Sequence, residues 1–385
     1  MSKNGWVSFI PNGSILPRKS GIDERPMDND NVIPFQAPES MAVEIALNNK
    51  KIIGMPVKEG ITVITGGGFH GKSTLLQVIT EGVYAHIPGD GRERIVTRED
   101  AVMIKSEEGR SVRKVDIRSF IKDLPGGKDT ACFSTDNASG STSQASSIIE
   151  ALEMDSRLLL FDEDNCATNF LVRDSLIQDI IPPEREPIKP LYDAARSLWE
   201  VYGVSSILVV GGLGIFLKKA DSILLLDEYR CYNVTDKVRA KIGFDDKSEN
   251  FKFEIQELRK ISNDNFNPGF INERLNKKVA KRIKPLRQEP RKLEYGMDLI
   301  DLTSFNQLVE APQTQAIGML ILHIYNTISI EGNDVKLSVL LKAIMKKIND
   351  EGLTSIKNDY PGTISMPRIF EVAAAINRMR SLRIN

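Results

Sequence analysis

Eight consecutive residues, Gly66-Gly67-Gly68-Phe69-His70-Gly71-Lys72-Ser73, combine a pliable backbone with one cation and one hydroxyl. Polyphosphate chemistry needs that combination. Glycines let backbone N–H groups turn inward around phosphate oxygens, Lys72 can reach the β- and γ-phosphates, and the Ser73 hydroxyl can ligate Mg²⁺. Thr74 follows at the start of the next element. The run fits G-x-x-x-x-G-K-[ST], directly after the apolar ITVIT and before the helix-like STLLQVITEGV, the context in which such a loop holds a nucleotide rather than making a chance glycine turn. A second constellation ends the apolar run Leu158–Phe161 with Asp162 and Glu163. Downstream of a phosphate loop, Asp162 suits the metal and Glu163 suits a base for the attacking water, the alternative being an acidic pair that caps a surface helix.

These groups need rigid support, and the chain supplies a repeating pattern for it. From residue 41 to 245 short apolar runs alternate with helical stretches: ITVIT, LLLF at 158–161, SILVV at 206–210 and SILLL at 222–226. Such alternation predicts an α/β fold with a largely parallel sheet. Residues 1–40 are rich in Pro, Gly, Asn and Asp and read as a lead-in of turns. Residues 246–295 form a basic linker or insertion, in which 274–292 holds nine basic residues, one acidic residue and two prolines. Helical periodicity returns in 296–385 (IGMLILHIYNTI, LSVLLKAIMKKI, IFEVAAAINRMRSL), predicting a small, mainly helical C-terminal domain.

Composition excludes several classes. With 41% hydrophobic and 27% charged residues over 385 positions, the chain can bury a sizeable core. Its formal net charge of -1 gives no global pull toward nucleic acid or an anionic membrane, so any basic surface is local. Cys132, Cys166 and Cys231 lie far apart and match neither a disulfide framework nor paired zinc spacing. The most apolar stretch, Ile207–Leu217, holds three glycines and falls short of the ~20 residues of a membrane span. The N-terminus lacks the apolar core of a signal peptide, so a cytoplasmic protein with no membrane association is expected.

The stretches NGSILPRKSG, GGGFHGKSTLL, GVYAHIPGDGRER, ASGSTSQASSIIEALE, LLLFDEDNCATNFLVRD, GVSSILVVGG and PRIFEVAAAINRMRSL resemble a family of predicted ATPases of the ABC class, distinct from transporter ATPases, over nearly the whole chain. The resemblance implies a P-loop NTPase core of ABC type, ATP and Mg²⁺ as ligands, and a homodimer sandwiching two nucleotides. It assigns Gly66 to Thr74 to the phosphates, Ser73 and Asp162 to the metal, and Lys72 and Glu163 to catalysis. Ser139-Gly140-Ser141 occupies the place of an LSGGQ-type signature, 23 residues before Asp162, whose Ser and amides grip the γ-phosphate bound by the partner subunit. Here Ala138 and Ser141-Thr142 replace the usual Leu and Gly-Gln, and a turn that only caps a helix is the alternative. Asn165 to Asn169 would form the loop crossing the dimer interface, with Arg173 and Asp174 in the helix beyond.

Two departures stand out. Val210-Gly211-Gly212 occupies the place where transporter ATPases carry a switch histidine, which leaves γ-phosphate sensing without its usual residue and implies slow hydrolysis. Typical members also carry an additional N-terminal domain before the segment matching NGSILPR, so the resemblance implies a shortened member or a truncated chain. Phe35 is a candidate for stacking on adenine, and His86 with Asp90 for a nucleotide contact or a structural turn. The expected activity is a nucleotide-driven dimeric switch. A nucleic-acid (RNA) clamp using the basic 274–292 run is the competing reading. A P-loop kinase or GTPase is disfavoured, because no guanine-recognition motif is readable.

Overall fold

The computed structural model describes residues 1–21, 23–28, 32–47, 50–124, 126–173, 180–181, 185–246, 253, 259–261, 284–286, 289–296, 298–331, 335–355, 364–382 and 384. They form two compact units. The first comprises Met1–Lys105 and Ser156–Lys252; the second comprises Ser106–Asp155 and Phe253–Asn385. Residues 106–155, which fall inside the contiguous 41–245 stretch of α/β patterning, therefore group with the C-terminal part of the chain.

The first unit is built on a six-stranded sheet in the order Arg230–Asn233, Ser222–Asp227, Ile61–Gly66, Ser205–Val209, Leu158–Asp162, Ala101–Ile104. Only the Arg230–Asn233 edge is antiparallel; the other five strands run parallel. The apolar runs are continuous rather than alternating because the central strands are covered on both faces, and Ser205–Val209 and Leu158–Asp162 are buried at every position. Helix Lys72–Glu81 turns Leu75, Leu76, Val78 and Ile79 inward onto this sheet.

An antiparallel sheet, ordered Val43–Leu47, Lys50–Lys58, Trp6–Pro11, Val96–Thr97, completes the unit. The turn-rich lead-in thus also contributes a strand, because Val7, Phe9 and Ile10 are apolar enough to be buried while Pro and Gly only bracket the run.

In the second unit, helix Gly140–Glu153 is buried along almost its whole length. Its two inward carboxylates are matched by arginines: Arg110 Nη2 donates to Glu150 at 2.8 Å, and Arg259 Nε donates to Glu153 at 3.0 Å. Asn377 accepts from Arg259 at 2.9 Å, tying in the last helix, Ile369–Asn377. The described C-terminal part also holds two longer helices, Ala311–Glu331 and Leu337–Glu351, and a three-stranded sheet of Lys284–Leu286, Glu289–Tyr295 and Asp298–Asp301. Positions 274–283, 287 and 288 of the basic run lie outside the described residues. Among the described residues no helix is long and apolar enough to cross a membrane.

The same unit carries a pH-sensitive pair. Burial by itself would raise the Glu107 carboxyl, but the Arg378 guanidinium, donating at 2.7 Å, outweighs it and holds the group below its ordinary 4.5. A carboxyl depressed in the folded state stabilises at pH above its unfolded value, and that stability is lost as pH falls through the folded one. Glu107→Gln should therefore flatten the acid limb of a thermal-stability profile below about pH 4.5, leaving its slope near neutrality unchanged.

Candidate nucleotide-binding site

Parallel strands end their carboxyl termini along one edge, where an open α/β sheet binds ligands. Register aligns those ends here: Asp162 is opposite Val209, Val209 opposite Ile64, and Leu226 opposite Gly66. The phosphate loop and the acidic pair thus share one edge of the first unit.

Gly66 sits at φ 144°, and a Cβ there would run into the Leu226 carbonyl oxygen. Only glycine suits that position. Gly71, at φ 94°, is the N-cap of the Lys72–Glu81 helix, which has no side-chain cap and no acidic residue in its first turn. Its first amides and the positive end of its dipole are left for an anion. Lys72 Nζ reaches back across the loop and donates to the carbonyls of Gly66 at 2.9 Å and Gly67 at 2.7 Å. Gly67, Gly68 and Ser73 are exposed, Thr74 is half-buried, and Phe69, at φ 61°, is 97% exposed.

His70 holds this loop to the neighbouring hairpin. Its Nδ1 lies 3.1 Å from both the Glu228 N–H and Asp227 Oδ1, accepting from the amide when unprotonated and pairing with the carboxylate when protonated. The hairpin turns through positive φ at Glu228 (45°) and Tyr229 (63°), a primed-type turn. It brings the Tyr229 ring against Gly71, where a Cβ would stand 3.4 Å from Cδ1.

At the end of its strand Asp162 is 5% exposed, and its Oδ1 accepts from the Asp164 N–H at 3.4 Å. Glu163 begins the 3-10 turn Glu163–Asn165. Its Oε2 accepts three backbone N–H groups from the loop after Ser205–Val209: Gly211 at 2.7 Å, Gly212 at 3.0 Å and Leu213 at 3.3 Å. Among the described residues Oε1 accepts none.

The other expected residues fall elsewhere. Ser139, Gly140 and Ser141 belong to the second unit. Exposed Ser139 is the N-cap of helix Gly140–Glu153, its Oγ accepting from the Thr142 N–H at 3.4 Å, while Gly140 and Ser141 are buried. The capping alternative thus describes the Ser139 side chain. Asn169 is exposed in the short helix Thr168–Leu171, Arg173 donates to the Ile181 carbonyl at 2.6 Å, and Asp174 lies outside the described residues.

Phe35 is a correction: 4% exposed and packed in the core cluster, it has no free face for a base. His86 Nδ1 lies 2.7 Å from Asp90, whose carbonyl and carboxylate also accept from Arg18, on the wall of a cavity of about 880 Å³. The sequence reading missed the Glu163 amide partners and the placement of Tyr229. The Gly211-Gly212 pair ending an apolar strand was the available signal for the first.

Fold and site together define a P-loop nucleotide-binding domain. The model of the ABC_ATPase P-loop domain matches residues 1–260, and the chain belongs to that family. Residues 286–385 match the model of the MRB1590 C-terminal domain. An uncharacterized protein of Methanocaldococcus jannaschii is 34% identical over 238 residues, covering 59% of this chain and 51% of its own length. The chain thus spans about half the length of that relative. Solved structures with similarity include cbiO1 from Clostridium perfringens, part of the ABC transporter complex cbiONQ, at TM-score 0.36 and 15% identity over 62% of this chain and 92% of that one. A bacterial Atm1-family ABC exporter with ATP bound gives 0.35 and 15% over 61% and 40%. Family membership rests on the 1–260 match, not on these structural scores.

Proposed function

We propose that the chain is a cytoplasmic ATPase whose two copies close over ATP and reopen after its hydrolysis, a slow mechanical switch rather than a metabolic enzyme. The observation that carries this reading is the shared sheet edge, where the glycine cradle and Lys72 follow the end of one strand and Asp162-Glu163 stand at the end of another two strands away. Gly66 to Thr74 bind the triphosphate, with Lys72 leaving its two carbonyls for the phosphate oxygens. The residues fit Mg²⁺: Ser73 is exposed at the helix start and Asp162 ends a rigid, buried strand. When bound, the metal would neutralise charge on the phosphate oxygens. Glu163 takes the proton of the attacking water as the water oxygen bonds to the γ-phosphorus and the bridging bond to ADP breaks.

The dimer reading draws on Ser139, exposed at the start of a helix. With ATP and Mg²⁺, Glu163→Gln should shift to a dimer in light scattering, and Glu163→Gln with Ser139→Arg should stay monomeric while still binding ATP. A double mutant that remains dimeric removes the case for a signature acting across the dimer. The basic 274–292 run supports the alternative, an RNA clamp. It requires a salt-sensitive gel shift of RNA by the unmodified chain.

A further inference from the structure

We propose that the backbone amides of Gly211, Gly212 and Leu213, in the loop after strand Ser205–Val209, are the positioning element of the catalytic base. This rests on reading Glu163 as the base. A carboxylate on a free side chain turns about its last bond, so its two oxygens exchange places. Here all three donors converge on Oε2, at 2.7, 3.0 and 3.3 Å, and fix that rotation. Oε1 is then the oxygen whose lone pairs are held in one direction for the water. Converging N–H groups of successive residues form an anion-binding concavity that rigid backbone presents at no cost in side-chain freedom.

Topology explains why this loop serves. Strand Ser205–Val209 lies between the phosphate-loop strand Ile61–Gly66 and the acidic strand Leu158–Asp162, so the chain leaving it emerges between the two halves of the site. Chemistry explains the glycine. A Cβ at Gly212 would stand 3.1 Å from Glu163 Oε1, tighter than ordinary contact, so a side chain there shifts that oxygen by a few tenths of an ångström. Gly211-Gly212 thus has a role of its own, distinct from γ-phosphate sensing: the backbone performs the placement of Glu163, and it requires room.

The test is Gly212→Ala. It retains the N–H, sits at an exposed position without left-handed φ, and changes only the approach to Oε1. Oε1 has to give way by a few tenths of an ångström, and since misplacement by about 1 Å costs up to about 10²-fold, the turnover number should fall about threefold to tenfold. ATP affinity and melting temperature should stay unchanged. Gly214→Ala, whose Cβ would meet nothing within 4 Å, is the control and should hydrolyse at the parent rate. In the Glu163→Gln background, Gly212→Ala should slow the residual rate no further, because no base is left to aim.

Three results would overturn the proposal: an unchanged rate in Gly212→Ala, a raised rate, which would mean that the amides restrain Glu163, or the same loss in both backgrounds. If Glu163→Gln alone hydrolyses at the parent rate, the base assignment fails as well, and that result separates the two.

Discussion

Glu163→Gln should bind ATP as tightly as the parent chain and hydrolyse it at least about a hundredfold more slowly, the range a general base supplies being about 10²–10⁴. The substitution is well matched to the site. The glutamine carbonyl oxygen can keep the three donors of Gly211, Gly212 and Leu213, so the loop should hold its shape. Its NH₂ then occupies the place of Oε1 and presents a donor where the water needs an acceptor. Single-turnover release of phosphate, measured beside nucleotide binding, checks both halves. A variant that hydrolyses within threefold of the parent would assign the base elsewhere, and one that no longer binds ATP would show that Glu163 supports the loop.

Lys72→Ala should weaken ATP by at least about thirtyfold, since removing one partner of a hydrogen-bonded charge pair costs about 2–5 kcal/mol. Lys72 is the cation that the phosphate loop itself carries, and its Nζ is already drawn over the loop by Gly66 and Gly67. Replacing those two carbonyls by phosphate oxygens exchanges neutral acceptors for charged ones, roughly doubling the strength of each bond. Calorimetry with ATP and with AMP separates the causes. The loss should be large for ATP and small for AMP, whereas equal losses would point to collapse of the loop.

Much of this was legible in the residues. Leu158–Phe161, Ser206–Val210 and Ile61–Thr65 announce buried parallel strands because every side chain on both faces meets a helix or a second layer, which forces uninterrupted apolar runs. Gly66 and Gly71 announce the loop because their backbone angles exclude other residues. The Gly211-Gly212 pair marks only the loop that partners Glu163, since a backbone N–H is common to nearly every residue and only its direction makes it a donor to this oxygen. Phe35 was misread for a related reason: an aromatic ring has the same letter whether it faces a base or the core. The grouping of 106–155 with the C-terminal part depends on contacts such as Glu153–Arg259, more than 100 residues apart in the chain.

That last contact bears on how the chain is made. The nucleotide-binding unit is complete once residue 252 has been synthesised, whereas helix Gly140–Glu153 waits. Glu153 needs Arg259, 106 residues further on, and Glu107 needs Arg378, 271 residues further on. Until those arginines emerge, carboxylates destined for burial have no counter-charge, and a buried unpaired charge costs several kcal/mol. On the ribosome the sheet that carries the phosphate loop can therefore form before the helix begun by Ser139 has its partners. A nascent chain can thus gain its phosphate loop before the surface that carries Ser139 has its full set of partners.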